Sequence, residues 1–262
     1  MKDPKVESIN LKSKSWNFKK LIGFNILFIA IILGFMGSEF KTPWDESIFF
    51  TLNGSLQEGR DVWNGYWAIT NSRIFDTFSA IFLGCICFIY LIKNRENDFA
   101  ERLSRVLLLV VSVILIMIII SRGFEHYYHQ SPSQVLSPFI NINELVSWLE
   151  VKTGTRKSFP SDHAAISFVS AILSWRFFGR KYGVTLSIFV VINATPRMVG
   201  GGHWFGDVWI GGMLLACIIS VWVIYSPLLF WIRRGVDKGL ELSFVQKIIT
   251  LFTKNQDVSR ET

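Results

Sequence analysis

At 262 residues, half of them hydrophobic, with 23 Phe, 10 Trp and a mean hydropathy of +0.37, the composition excludes an ordinary soluble domain and fits a polytopic membrane protein. The formal charge of +7 does not mark a nucleic-acid binder, because Lys and Arg are scattered beside apolar runs and do not cluster on one face. Cys85, Cys87 and Cys217 are odd in number and lie inside apolar runs, which excludes a disulfide framework and makes them packing residues.

A helix that spans a bilayer takes about 20 mostly apolar residues. Six stretches meet that need, at 20–37, 74–92, 106–121, 163–179, 183–198 and 207–232. The first ends in Gly34-Phe35-Met36-Gly37 without a small-residue cleavage site, so it reads as a retained helix and not a signal peptide. The fourth and fifth are short, as expected when their outer ends sink into a pocket lined by protein. With the N-terminus cytoplasmic, the inner segments hold 19 of the 27 Lys and Arg, and the positive-inside rule favours that orientation. The expected fold is an all-α integral membrane bundle of six transmembrane helices, with both termini cytoplasmic. Tails at 1–20 and 233–262 flank the membrane domain at 21–232, and the second tail carries an amphipathic piece around 240–252.

Two outer segments have structure of their own. Pro43-Trp44-Asp45-Glu46 reads as a helix start, with Ile48, Phe49 and Leu52 following at helical spacing. Trp63, Tyr66 and Trp67 then lead into the second span like an interfacial aromatic belt. Together they describe a short interfacial helix in the outer headgroup layer, either an anchor or a substrate-entry element. In the loop 122–157, Ile142, Leu145, Val146 and Leu149 recur at i, i+3, i+4 and i+7, which predicts a second short surface helix. The start of that loop, from Arg122 to Pro132, gathers cations and aromatics that either grip phosphate or anchor a helix end.

The residues with chemistry to offer fall in two stretches, and the topology places both at the outer face. In Ser158-Phe159-Pro160-Ser161-Asp162-His163, either Ser158 or Ser161 can cap a helix that Pro160 helps to start, and the positive end of that helix is an anion site. His163 projects from its first turn, placed to protonate a departing oxygen. In the second stretch Arg197 is followed by Gly200-Gly201-Gly202 and then by His203 and Asp207. A guanidinium offers a bidentate clamp to phosphate oxygens, and glycines let backbone N–H groups approach a ligand. His203 and Asp207, four apart, share a helix face, so the carboxylate can hold one ring nitrogen and leave the other as a nucleophile. A metal held by His163, His203, Asp162 and Asp207 is disfavoured by Arg197 beside them and by the absence of closely spaced zinc-type ligands.

Pro160-Ser161-x-His163 and Arg197-x5-His203-x3-Asp207 resemble the second and third motifs of the type-2 phosphatidic acid phosphatase superfamily. That resemblance implies a six-helix membrane fold and a phosphohistidine mechanism without metal or other cofactor. It makes His203 the nucleophile, Asp207 its orienting acid, His163 the acid for the leaving group, and Arg197 and Ser161 the grip on the phosphoryl oxygens. Asp162 departs from the family's usual glycine. The first motif has no clean match before Pro132, which leaves Arg122, His126, His129, Arg156 and Lys157 as replacement cations. Trp67 to Asp76, the run ending at His163, Ser131-Pro132 and the His203-Trp204-Phe205-x-Asp207 run are similar to the lipid A phosphotransferase branch of that superfamily. The resemblance implies a bacterial inner-membrane enzyme facing the periplasm, with lipid partners only. Its donor would be a polyprenyl diphosphate such as undecaprenyl diphosphate, and its acceptor the 1-phosphate of lipid A. A lipid phosphatase using water as acceptor, and a transporter or scaffold without catalysis, are the competing expectations.

Overall fold

A computed structural model describes residues 15–39, 42–94 and 97–241, and these are helical throughout their regular parts. The order is α1 (Phe18–Gly37), the short α2 (Asp45–Asn53) and α3 (Asp61–Thr70), α4 (Arg73–Lys93), and α5 (Phe99–Ile118), which a π-helical turn extends over Ile119–Gly123. Single turns α6 (Pro132–Val135) and α7 (Ile142–Leu145) precede α8 (Asp162–Phe177) and α9 (Arg180–Val199). A π-helical segment, Asp207–Gly212, runs directly into α10 (Met213–Tyr225), and α11 (Leu228–Glu241) follows. Most of both expected tails, including nearly all of the amphipathic piece at 240–252, lies outside the described residues.

Five of these helices are long and apolar enough to cross a membrane: Phe18–Gly37, Arg73–Lys93, Phe99–Gly123, Arg180–Val199 and Asp207–Tyr225. The remaining expected span is α8, whose 16 residues rise only about 24 Å, less than a hydrocarbon core of about 30 Å. It is nevertheless the hub, packed against α9, α10 and α5. Ala165, Val169, Leu173 and Phe177 on α8 share a buried cluster with Leu108, Leu109 and Ile116 of α5 and Leu215, Ile219 and Val223 of α10. Between helices in lipid no hydrophobic drive exists, so close packing of small residues takes its place. A Cβ added at Gly212 would stand 2.7 Å from the Cβ of Ala164, so α8 and the helix leading into α10 approach as closely as glycine permits.

The periphery contrasts with the hub. α1 and α4 bury little, leaving Ile22, Ile26, Leu33, Ile74, Phe78 and Phe88 exposed, as lipid-facing helices do. The expected run 207–232 is broken at Ser226-Pro227, where Ser226 is extended (φ −114°, ψ 166°) and proline ends the continuous helix. α11 then folds back along α5, and Arg233 bonds Asp98 at 2.8 and 3.1 Å, so a helix crosses the expected tail boundary at 232. At this end of the bundle Arg105 is 5 % exposed; it donates to the Phe177 carbonyl at 2.7 Å and the Tyr90 hydroxyl at 3.2 Å and pairs with Glu101.

At the other end a small cap of short elements covers the helix termini. Leu56, Ala68, Ile142, Val146, Val151 and Val199 bury one another there. Asn53 of α2 donates to the carbonyls of Ile140 (3.0 Å) and Val199 (3.1 Å), which ties the cap to the end of α9. The helix expected from Ile142 to Leu149 is only one turn. The Asn143 amide makes paired 2.9 Å bonds with the Val151 backbone, and this side-chain competition stops helix growth.

Candidate active site

Three chain segments meet under this cap: the start of α8, the end of α9, and the turn into α10. They surround a cavity of about 180 Å³ lined by His163, Asp162, Arg197, Gly202, His203 and Lys157 among others, with Ile120 and Pro160 as apolar members. Motif residues 34 to 40 positions apart in the chain thus line one space.

The turn into α10 orients His203. Gly201 has φ +75°, a left-handed conformation that suits glycine and ends α9. All three glycine N–H groups fold back on the end of α9: Gly200 to Pro196 O (2.9 Å), Gly201 to Met198 O (3.1 Å) and Gly202 to Arg197 O (2.9 Å). They close the helix, which leaves Gly202 as a lining residue whose amide is already used, in place of the expected ligand approach. His203 stands in the turn before the helix and not on it. Its Nδ1 lies 2.7 Å from the Ser158 carbonyl and 3.6 Å from Asp207 Oδ2, so the carbonyl is the nearer orienting group. An acceptor at Nδ1 places the ring hydrogen there and leaves Nε2 with its lone pair. Asp207 is fully buried, and its Oδ2 accepts the Trp204 N–H at 2.9 Å, closing the helix start.

The start of α8 forms the opposite wall. Ser161 occupies the N-cap position, yet its hydroxyl makes no capping bond and, although fully buried, has no hydrogen-bond partner among the described residues. Ser158 is no cap either, since its hydroxyl donates to His129 O at 2.9 Å. A bond of 3.1 Å from Ser161 N to Asp207 O joins the two walls. His163 is held from both sides, with Nδ1 2.6 Å from Asp162 Oδ1 and Nε2 3.0 Å from Asp76 Oδ1. Both contacts are hydrogen bonds only when both nitrogens carry hydrogen, the form that a general acid requires.

Arg197, 8 % exposed, donates through Nη1 to the Asn71 carbonyl (2.9 Å) and its side-chain oxygen (2.8 Å), and through Nη2 to Asp76. A Cβ at Gly200 would come within 2.3 Å of the Asn71 amide nitrogen, so glycine there makes room for the residue that holds the arginine.

Of the cations expected to replace the first motif, only Lys157 lines the cavity. Arg122, His126 and Arg156 are exposed and lie outside its lining. His129 is buried behind the site, Nε2 3.4 Å from Asp207 Oδ1, while its backbone N–H bonds Arg156 O at 3.0 Å. Sequence reasoning missed Lys152, Asn71 and Asp76. Two signals were available: the resemblance carried by the run from Trp67 to Asp76, and an acid in the first turn of an apolar span, where charge is rare without a task.

Residues 126–231 match the PAP2 superfamily, and His163, Arg197, His203 and Asp207 all fall within the matched stretch. Over 232 residues the chain is 28% identical to lipid A 1-diphosphate synthase of Escherichia coli (strain K12), covering 86% of this chain and 94% of that protein. The crystal structure of Aquifex aeolicus LpxE superposes with a TM-score of 0.50 at 15% identity, over 71% of this chain and 98% of that one, a likeness of fold.

Proposed function

We propose that this membrane protein is a phosphotransferase that moves a phosphoryl group from a polyprenyl diphosphate, such as undecaprenyl diphosphate, to the 1-phosphate of lipid A. The observation that carries the reading is the joint presence of His203, with Nδ1 tied to a carbonyl, and of His163 and Arg197 around one cavity. The similarity to lipid A 1-diphosphate synthase supports the choice of lipids. In this reading His203 Nε2 attacks the terminal phosphorus of the donor, the bond from phosphorus to the bridging oxygen breaks, and His163 gives its proton to that oxygen. Arg197, with Lys157 and Lys152 at the cavity, neutralises the phosphoryl oxygens. An oxygen of the acceptor phosphate then attacks the phosphohistidine, which restores His203 and yields the diphosphate. Ser161, at the N-cap of α8 beside Asp162 and His163 and with no hydroxyl partner among the described residues, is assigned to a phosphoryl oxygen.

Cations collected at the opposite end of the bundle, among them Lys19, Lys20, Arg102, Arg176, Arg180 and Lys181, support a cytoplasmic placement of that end and a periplasmic site. The test is thin-layer analysis of labelled lipid A incubated with the purified protein and undecaprenyl diphosphate. A diphosphorylated lipid A is expected; release of free phosphate in its place would convert the reading to a phosphatase, and no turnover of either lipid would point to a scaffold. Activity is expected to survive chelator, and loss restored by one divalent ion would overturn the metal-free route.

A further inference from the structure

Asp76 belongs to neither motif, lying in the first turn of α4, 121 positions before Arg197. A single oxygen of its carboxylate, Oδ1, accepts from Arg197 Nη2 and from His163 Nε2, the latter at 3.0 Å. These are the two donors that the proposed function turns toward the phosphoryl group and the departing oxygen. His163 has no other nitrogen to offer, since Nδ1 is 2.6 Å from Asp162. Two neighbouring cationic donors therefore face an anion that the chain itself supplies. Asp76 also has somewhere to go. Its side chain is 38% exposed, whereas Asp207 is fully buried, and α4 is among the sparsely packed helices.

We infer that Asp76 is an internal placeholder for the substrate: its carboxylate bridges Arg197 and His163 between turnovers, and an incoming phosphoryl group displaces it. The inference rests on the proposed function, because it takes those two residues as phosphate ligands. It adds a rule of selection. A terminal phosphoryl group with two charges and three free oxygens replaces a singly charged carboxylate with a net gain of attraction, whereas a diester with one charge exchanges like for like. The cost of displacing Asp76 is the same for every anion, so it acts as a threshold, one that a terminal phosphate of monoester or diphosphate type clears and a diester headgroup does not.

The experiment uses full-length protein in detergent with 15N-labelled histidine, titrated with inorganic phosphate and with dimethyl phosphate, and the His163 signals are identified by their loss in His163→Gln. Asp76→Asn is expected to bind inorganic phosphate and dimethyl phosphate each about tenfold more tightly than wild type. Equal or weaker phosphate binding in that variant would overturn the inference and make Asp76 a fixed support for Arg197. Asp76→Ser provides the same comparison should the amide variant not fold. In the wild type, saturating phosphate is expected to move the Nε2 signal of His163 while Nδ1, on Asp162, holds its place; an unmoved Nε2 also overturns the inference. A wild type that binds no phosphate would remove the proposed function itself, which is a separate result.

Discussion

Two buried arginines sit at opposite ends of this bundle in almost the same bonding pattern. Arg105 donates to a helix-terminal carbonyl, a tyrosine hydroxyl and the acid Glu101; Arg197 donates to a carbonyl, an amide oxygen and the acid Asp76. They differ in where the acid comes from and what lies beside it. Glu101 is one turn away on the same helix and its side chain is 14% exposed, and Arg105 does not line the cavity. Asp76 arrives from a different helix, is 38% exposed, and leaves Arg197 on the wall of the cavity with His163 and His203. A buried arginine with local partners closes a helix end; one with a distant, half-exposed partner beside a cavity is equipped to exchange that partner for a ligand.

The comparison can be broken in four places. The largest effect is expected for His203→Ala, which removes the covalent route next to Arg197 and should lower turnover by roughly 10⁵-fold or more, read as the rate of phosphoryl transfer. At the other end Arg105→Met leaves Glu101 without its cation and uncaps α8, and should cost about 3–5 kcal/mol of stability while turnover per folded molecule is unchanged. Thermal unfolding in detergent alongside specific activity checks both halves. Arg197→Lys should do the reverse, leaving the unfolding midpoint close to wild type and reducing turnover by about 10²–10³-fold, since an ammonium cannot reproduce the planar fork. If the two arginine variants behaved alike, the distinction drawn from their partners would fall. The smallest effect belongs to Gly200→Ala, whose added carbon meets the Asn71 amide nitrogen at 2.3 Å. Displaced Asn71 loosens Arg197, and about a tenfold loss in turnover is expected with only a slight change in stability.

Arg105 and Arg197 also differ in how legible they were. Five of the six expected spans, their order, and the positions of His163, Arg197 and His203 follow from apolar run length and from motif spacing, which are local properties of the chain. The partners were not legible. Asn71 and Asp76 lie more than a hundred positions from Arg197, and nothing in their neighbourhood encodes which helix they will face. Asn143 shows the same limit at short range, because its amide had to find the Val151 backbone before the helix predicted over 142–149 could be cut to one turn. His203 was placed on a helix by its spacing from Asp207, but the left-handed Gly201 sets the turn that keeps it off. Spacing describes what a regular helix would do, and the site was built where regularity stops.

Under the proposed function, the light packing of α1 and α4 separates two tasks that an enzyme of lipids must perform. The proposed phosphate chemistry rests on α8, α9 and the start of α10, which bury one another and are reached by Asp76 of α4, while the outward faces of α1 and α4 meet little of the protein. Substitutions on those faces can follow a thicker bilayer or a longer lipid tail without disturbing the cavity. The fold therefore allows the membrane-facing surface to diversify independently of the reaction it encloses.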